Sequence, residues 1–197
     1  GGPSLDSQIG WLRENQDSVC IIAVSRVSAL LIDSGITPDI VVSVDPHPVS
    51  FTVSRHMFDF PEETILITSN HVYPGIANRW PHTLLCIGPR VPWEDETINS
   101  STNIRAAGPT VTHAATQLAS HLGFSTIIFC GLDLCFASNG QTHASKSSEA
   151  EAGPQMDYNP IPVTNNVGEP VWTKPVFFAG IQAMETIAKS FPKTELI

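Results

Sequence analysis

Short apolar runs alternate with amphipathic stretches along most of the chain. Each apolar run is rich in β-branched residues, which predicts a buried strand. The predicted strands are residues 18–24, 40–45, 64–68, 83–87 and 125–130. Between them, apolar residues at helical spacing predict helices over residues 27–33 and 109–122. An irregular helix over 46–58 and a short helix over 74–80 are also predicted. This alternation predicts an α/β fold with a mostly parallel sheet that helices cover on both faces.

The carboxyl-terminal part of the chain has a different pattern. Residues 136–160 are polar and lack apolar periodicity, which predicts a long surface loop and a candidate lid. A hairpin over residues 161–173, a helix over 175–191 and a strand over 194–197 follow. Because the alternation is cut at both termini, we expect residues 1–197 to be a single domain and the core of a longer protein.

Charge and cysteine content narrow the class of protein. The net charge of −9 argues against nucleic acid and anionic membranes as partners, since no basic stripe is available to neutralise phosphates. No apolar run approaches the roughly 20 residues that a membrane span needs. The four cysteines form no C-x-x-C pair, so we expect neither a zinc site nor a disulfide framework. Unpaired cysteines are typical of a reducing compartment, so we expect a cytoplasmic protein.

Polar residues follow several predicted strands, at the sheet edge where parallel sheets bind ligands. These residues are Ser25, Arg26, Asp45, His47, Ser69, Asn70, His71 and Asp133. The opening Gly2-Pro3-Ser4 turn would lie at the same edge, where its amides and the Ser4 hydroxyl suit a phosphate. For Asp45 and Asp133, a helix cap or a turn is the structural alternative.

His143 is the candidate general base. It lies in a polar segment with no evident packing role, and an unperturbed pKa near 6.5 suits proton transfer near neutrality. His47 and His71 are expected in surface loops and His121 in solvent, whereas His113 lies in the first turn of a predicted helix and is a second functional candidate.

Several common motifs of catalytic domains are missing from the sequence. It contains no Walker A pattern, no G-x-G-x-x-G after a strand, no G-x-S-x-G elbow and no D-x-D pair. The sequence therefore argues against a P-loop kinase, a generic NAD enzyme and a serine hydrolase.

Three blocks of the sequence together resemble one family. They are Gly2 to Leu5, Ser28 to Pro46, and a block from Gly108-Pro109-Thr110-Val111 through Gly131-Leu132-Asp133-Leu134 to Thr142-His143-Ala144. In these blocks the chain resembles the motility accessory factors, a family of flagellin glycosyltransferases whose superfamily includes proteins similar to archaeal 6-hydroxymethylpterin diphosphokinase. More remotely, the chain is similar to bacterial sialyltransferases, which carry a Gly-Pro-Ser turn near the nucleotide. The resemblance implies a Rossmann-like three-layer sandwich, and full-length motility accessory factors carry flanking regions beyond it.

The resemblance also implies a reaction and roles for individual residues. A nonulosonic acid would pass from a CMP-linked donor to a hydroxyl acceptor, such as a Ser or Thr of flagellin. His143 and Asp133 would be catalytic, with His143 taking the acceptor's proton. The residues expected to bind the donor are Gly2, Pro3, Ser4, Ser25, Asp45 and Thr110. A CMP-linked donor carries a good leaving group, so no metal is required.

Two alternatives remain open from the sequence. The diphosphokinase branch would use ATP and Mg²⁺, with Asp45 and Asp133 on the metal and an aromatic slot for a pterin. A non-catalytic nucleotide-binding module would bind without turnover.

Overall fold

A four-stranded parallel sheet lies at the centre of the computed structural model, which describes residues 1–88, 104, 108–147 and 159–197. The strands pair in sequence order: β1 (Ile22–Val24), β2 (Ile40–Ser43), β3 (Ile65–Ser69) and β4 (Leu84–Ile87). In register, Val41 lies between Ala23 and Leu66. These four strands were predicted from the apolar runs and are confirmed; β1, β2 and β4 are shorter than predicted, and β3 is shifted by one residue.

Helices cover both faces of the sheet. They are α1 (Leu5–Asn15), α2 (Ser28–Asp33), α3 (Val49–Val53), α4 (Pro74–Arg79), α5 (Val111–His121) and α6 (Pro175–Ser190). Val41 packs in one apolar cluster with side chains of α1, α2 and α4, whereas Val42 packs in a second cluster with α5. This alternation follows from the two-residue period of a strand and builds the expected three-layer, Rossmann-like α/β fold. None of the described helices has the length and apolarity to cross a membrane.

The helix predicted over residues 46–58 is interrupted. Helix α3 ends at Val53, and a 3-10 helix, Arg55–Asp59, follows it. The break falls at Ser54, whose buried hydroxyl donates a hydrogen bond to Ser25 Oγ at 3.0 Å. The predicted helix is therefore broken where Ser54 makes a polar contact with a residue distant in the sequence.

The prediction for residues 125–130 is wrong in length and pairing. Only β5 (Thr126–Ile127) forms, and it pairs in parallel with β8 (Glu195–Leu196) in a separate two-stranded sheet. The backbone nevertheless stays close to the chain end, since Phe129 N donates to Ile197 O at 2.8 Å. Apolar composition predicts burial, but a strand also needs a neighbour on which to pair.

The predicted hairpin and the last helix are confirmed. Strands β6 (Ile161–Thr164) and β7 (Pro170–Thr173) pair antiparallel. In their turn, Asn165 Oδ1 accepts hydrogen bonds from the amides of Val167 and Glu169, and Gly168 has a φ of 86°, which favours glycine. Of the predicted loop over 136–160, the stretch 148–158 lies outside the described residues, as does most of the polar stretch from 89 to 107.

Candidate functional site

A cavity of about 480 Å³ opens beyond the carboxyl ends of β1 and β2, and we call it the strand-end cavity. It is also bordered by the start of α5 and by the segment after Gly131. Six of the predicted site residues line it: Gly2, Ser25, Asp45, Thr110, Asp133 and His143. Pro3 and Ser4 do not belong to its described lining.

The Gly2-Pro3-Ser4 turn uses its amides within the protein. Gly2 N donates to Gly131 O at 2.6 Å, and Ser4 N donates to Asp133 Oδ2 at 2.9 Å. A Cβ on Gly2 would lie 2.2 Å from the same Oδ2, so this position needs glycine. The amides on which a phosphate loop would depend are thus engaged, and Asp133 fixes the turn. This contact fits a role of Asp133 in positioning the turn better than the catalytic role that the resemblance implied.

Asp45 lies just after the carboxyl end of β2 and is held there as a carboxylate. Its Oδ1 accepts the His47 amide at 2.9 Å, and its Oδ2 accepts the Ser50 hydroxyl at 2.7 Å. Burial raises the pKa of Asp45, but these two hydrogen bonds, with the charges of His47 and Arg26, outweigh burial and lower the pKa below its usual value. Asp45 is therefore ionised near neutral pH and shapes the turn that follows β2.

Arg26 brings a positive charge to the cavity. It follows β1 directly, lies in the 3-10 helix Ser25–Val27 and is partly buried. Burial lowers the pKa of Arg26, and the nearby Asp45 carboxylate counteracts this. A guanidinium stays protonated at physiological pH, and its planar set of donors suits a phosphate or carboxylate.

Three buried serine hydroxyls form a chain along the cavity wall. Ser54 Oγ donates to Ser25 Oγ at 3.0 Å, and Ser25 Oγ donates to Ser43 Oγ at 3.2 Å. All three residues line the cavity and are at most 5% exposed. Because a hydroxyl can both donate and accept, this chain can adapt to a bound polar group.

Helix α5 points its first turn into the cavity and is anchored there by His113. This imidazole is fully buried, with Nδ1 2.8 Å from Thr110 Oγ1 and Nε2 2.8 Å from Gly180 O. Since Gly180 O can only accept, Nε2 carries the proton and Nδ1 accepts the Thr110 hydroxyl. Nε2 therefore joins α5 to α6, and Nδ1 contacts the Thr110 hydroxyl at the start of α5. The second functional candidate among the histidines is thus a structural clamp.

Val111 and Thr112 are also part of the cavity lining. Both residues stand in the first turn of α5, where a helix offers its amides no internal acceptor. The partial positive charge of the helix end adds to that of Arg26.

His143 lies on the cavity wall in a packed segment. Its neighbours Thr142 and Ala144 are 4% and 2% exposed, Ala144 N donates to Gly1 O at 3.0 Å, and the Ser145 amide and hydroxyl donate to Asp6. The expectation of a segment without a packing role is therefore wrong. The expectation of an unperturbed imidazole is wrong as well, because burial and the nearby Arg26 lower the pKa of His143 to about 4.

The remaining predicted positions lie outside the cavity. His47 and His71 are exposed in loops, as expected. His121 is exposed too, and its ring meets that of Phe191 edge to face at 5.0 Å between centroids.

The sequence placed Arg26 at the ligand-binding edge of the sheet, because it follows a predicted strand, but it gave Arg26 no specific role. It did not indicate Ser43, Ser54 or Phe177, which also line the cavity. Ser54 lies inside a predicted helix and Phe177 in a distant one, so only the tertiary fold brings them to the site.

The described residues do not form a dedicated metal site. No group of three or more His, Cys, Asp or Glu side chains among them is placed to hold an ion. Asp45 has hydrogen bonds on both oxygens, and Asp133 has one on Oδ2. Asp45 and Asp133 are thus engaged in the protein's own hydrogen bonds, and we derive no step through a metal.

Known proteins provide two comparisons. Over residues 1–139, the chain matches the family described as 6-hydroxymethylpterin diphosphokinase MptE-like. It is also similar to the solved MAf glycosyltransferase from Magnetospirillum magneticum AMB-1, with a TM-score of 0.77 and 23% sequence identity. That likeness shows the fold, and it covers 98% of this chain but only 29% of the glycosyltransferase chain. No curated protein matches the chain. The two findings agree with the family resemblance carried by the three sequence blocks.

Proposed function

This chain belongs to the 6-hydroxymethylpterin diphosphokinase MptE-like family, and from that membership we propose that it is a transferase domain whose strand-end cavity binds the phosphate of an activated donor. The donor that we propose is a nucleotide-linked sugar acid of the CMP type, and the acceptor is a hydroxyl group, for which a protein such as flagellin is one candidate. Arg26 carries this proposal, because it lines the same cavity as the first turn of α5 and the buried serines Ser25, Ser43 and Ser54. Such a combination of donors is complementary to one anionic group.

In the proposed reaction, the acceptor hydroxyl oxygen attacks the anomeric carbon of the sugar. The bond from that carbon to the phosphate oxygen breaks, and the nucleotide monophosphate leaves with the electron pair. Arg26 and the α5 amides would stabilise the negative charge that develops on the leaving phosphate. This step involves no change of oxidation state.

His143 is the proposed acceptor of the hydroxyl proton. Its pKa of about 4 makes it neutral, and therefore able to accept, throughout the physiological range. A base with so low a pKa is weak, but a bound anionic donor would raise its pKa by supplying a nearby negative charge. The donor itself would then bring the base closer to the pKa that proton transfer at neutral pH requires.

A second candidate function is pyrophosphoryl transfer from ATP to a pterin, which the family description favours. The chemistry would need Mg²⁺, and Asp45 and Asp133 are the carboxylates in the described lining of the cavity. Phe177 is an aromatic side chain in the described lining and the candidate for a pterin contact.

A thermal-shift panel tests these proposals. CMP, CDP, UDP, GDP, ADP and ATP are each added with and without Mg²⁺ to the chain. A ligand at 100 times its Kd that binds only the folded state adds about 2.7 kcal/mol to stability, which is easily detected. Stabilisation by CMP or CDP without metal supports the sugar-acid transferase, and Mg²⁺-dependent stabilisation by ATP supports the pyrophosphokinase. Absence of any shift in Tm contradicts nucleotide binding. If a nucleotide binds but the protein catalyses no transfer, the result supports a non-catalytic nucleotide-binding module.

A further inference from the structure

Lys174 brings a second positive charge to the neighbourhood of the strand-end cavity. It joins β7 to α6, and its carbonyl accepts the amides of Phe177 and Phe178 at 2.9 Å each, so its backbone is fixed at the start of α6. Its side chain is partly buried. In the part of the chain that the structure describes, no carboxylate forms an ion pair with the Lys174 ammonium.

The aromatic ring of Phe177 connects this charge to the cavity. Lys174 Nζ lies 4.4 Å from the centroid of the Phe177 ring, which is a cation–π contact, and Phe177 itself lines the cavity. Because an ammonium group carries three N–H donors, its contact with one ring face leaves donors for a further acceptor. The ring thus holds the ammonium beside the cavity without using up its capacity to bind an anion.

His143 reports the same proximity independently. Burial is the main cause that lowers the pKa of His143, and the positive charges of Arg26 and Lys174 lower it further. Both cations therefore act on one side chain, which is itself part of the cavity wall. The cavity lies in the combined field of Arg26 and Lys174, although the chain as a whole has a net charge of −9.

A donor of the class proposed above carries two anionic groups close together. In a nonulosonic acid, the carboxyl group is bonded to the anomeric carbon, whose bond to the phosphate oxygen breaks in the transfer. A carboxylate and a phosphate therefore flank the reacting carbon, and each needs its own cationic partner. Asp45 and Asp133 in the cavity lining repel any anion that is not held by a cation, which makes the positions of Arg26 and Lys174 decisive.

We propose that Lys174 is a specificity-determining residue that binds the carboxylate of the sugar acid, while Arg26 and the first turn of α5 bind the phosphate. This inference rests on the proposed function of the strand-end cavity. The flexible four-carbon stem of lysine lets the ammonium turn from the Phe177 ring toward the carboxylate. Lys174 then favours donors that carry a carboxylate over donors with neutral sugars, and it holds the reacting carbon near His143.

Isothermal titration tests this by comparing CMP with CMP-N-acetylneuraminic acid, which adds a nonulosonic acid and its carboxylate to the same nucleotide. The readout is the Kd for CMP divided by the Kd for the conjugate. We expect this ratio to fall about fivefold in Lys174→Gln, the effect of losing a partly exposed ion pair. The matched control is Lys189→Gln, which removes an exposed lysine from the last turn of α6 and should leave the ratio unchanged. Lys174→Arg keeps the charge and should restore most of the ratio.

The inference alone is overturned if the wild-type chain binds both ligands and Lys174→Gln leaves the ratio unchanged. An equal fall in Lys189→Gln overturns it as well, because general loss of positive charge then explains the effect. Failure of the wild-type chain to bind either ligand contradicts the proposed function itself, and the inference falls with it. Should Lys174→Gln fail to fold, Lys174→Met takes its place, since it removes the charge but keeps an apolar stem, and the same fall in the ratio is expected.

Discussion

Protonation of His143 is expected to destabilise the folded chain in mild acid. Its pKa is lowered from 6.5 to about 4 in the folded state, first by burial and then by the charge of Arg26. Above pH 6.5 the imidazole is neutral in both the folded and the unfolded chain, so it has no effect on the pH dependence there. As the pH falls from 6.5 to 4, the unfolded chain takes up the proton first, and folding stability decreases. The loss is complete below the folded-state pKa.

The size of this loss follows from the pKa difference. The lowering corresponds to at most about 3 kcal/mol, at 1.36 kcal/mol per pKa unit. Since His143 is partly exposed, solvent screening reduces the expected contribution to about 1–2 kcal/mol.

Urea unfolding at pH 7 and at pH 4 measures the effect in the wild-type chain, in His143→Gln and in His71→Gln. The exposed His71 makes the third chain a matched control. We expect His143→Gln to lose about 1–2 kcal/mol less than the wild type between the two pH values, and His71→Gln to behave like the wild type. Parallel losses in all three chains, or an NMR titration of His143 near pH 6.5, would show that His143 does not cause the loss of stability in acid.

The remaining predictions concern the two structural anchors of the site. Gly2→Ala places a Cβ 2.2 Å from Asp133 Oδ2 and should cost about 1–3 kcal/mol of stability by displacing that carboxylate from the Ser4 amide. The control is Gly10→Ala in α1, whose added Cβ meets no atom within 4 Å and should stabilise the folded chain by about 0.5–1 kcal/mol. Equal changes in the free energy of unfolding in urea for the two variants would contradict the role of Gly2. His113→Leu leaves Gly180 O and the Thr110 hydroxyl without their partner and should cost about 2–4 kcal/mol, against less than about 0.5 kcal/mol for His71→Leu. A calorimetric Tm for His113→Leu close to that of His71→Leu would show that the clamp is dispensable.

The β-branched runs were sufficient to predict the central sheet, because burial on both faces leaves a continuous apolar signal in the sequence. Val41 and Val42, which are fully buried on opposite faces, are the clearest example. The same signal over residues 125–130 overstated β5, because composition reports burial and contains no information about a pairing partner.

Several of the predicted site residues lie together in the structure, whereas their contacts could not be predicted from the sequence. The rule that ligands bind at the carboxyl ends of parallel strands correctly placed Ser25, Asp45 and Asp133 near one cavity. It could not reveal that Asp133 already binds the Ser4 amide, since the two residues are 129 positions apart in the chain. The low pKa of His143 was equally hidden, because burial and the proximity of Arg26 arise only in the folded chain.

Isothermal titration of CMP shows most directly whether the strand-end cavity binds a nucleoside monophosphate. The titration compares the wild-type chain, Arg26→Gln, and Arg13→Gln, which changes an exposed arginine on α1. We predict at least tenfold weaker binding for Arg26→Gln, because loss of a charge-assisted contact costs about 1.5–3 kcal/mol, and no change for Arg13→Gln. Equal affinity in all three chains, or no binding of CMP to the wild type, would contradict the claim.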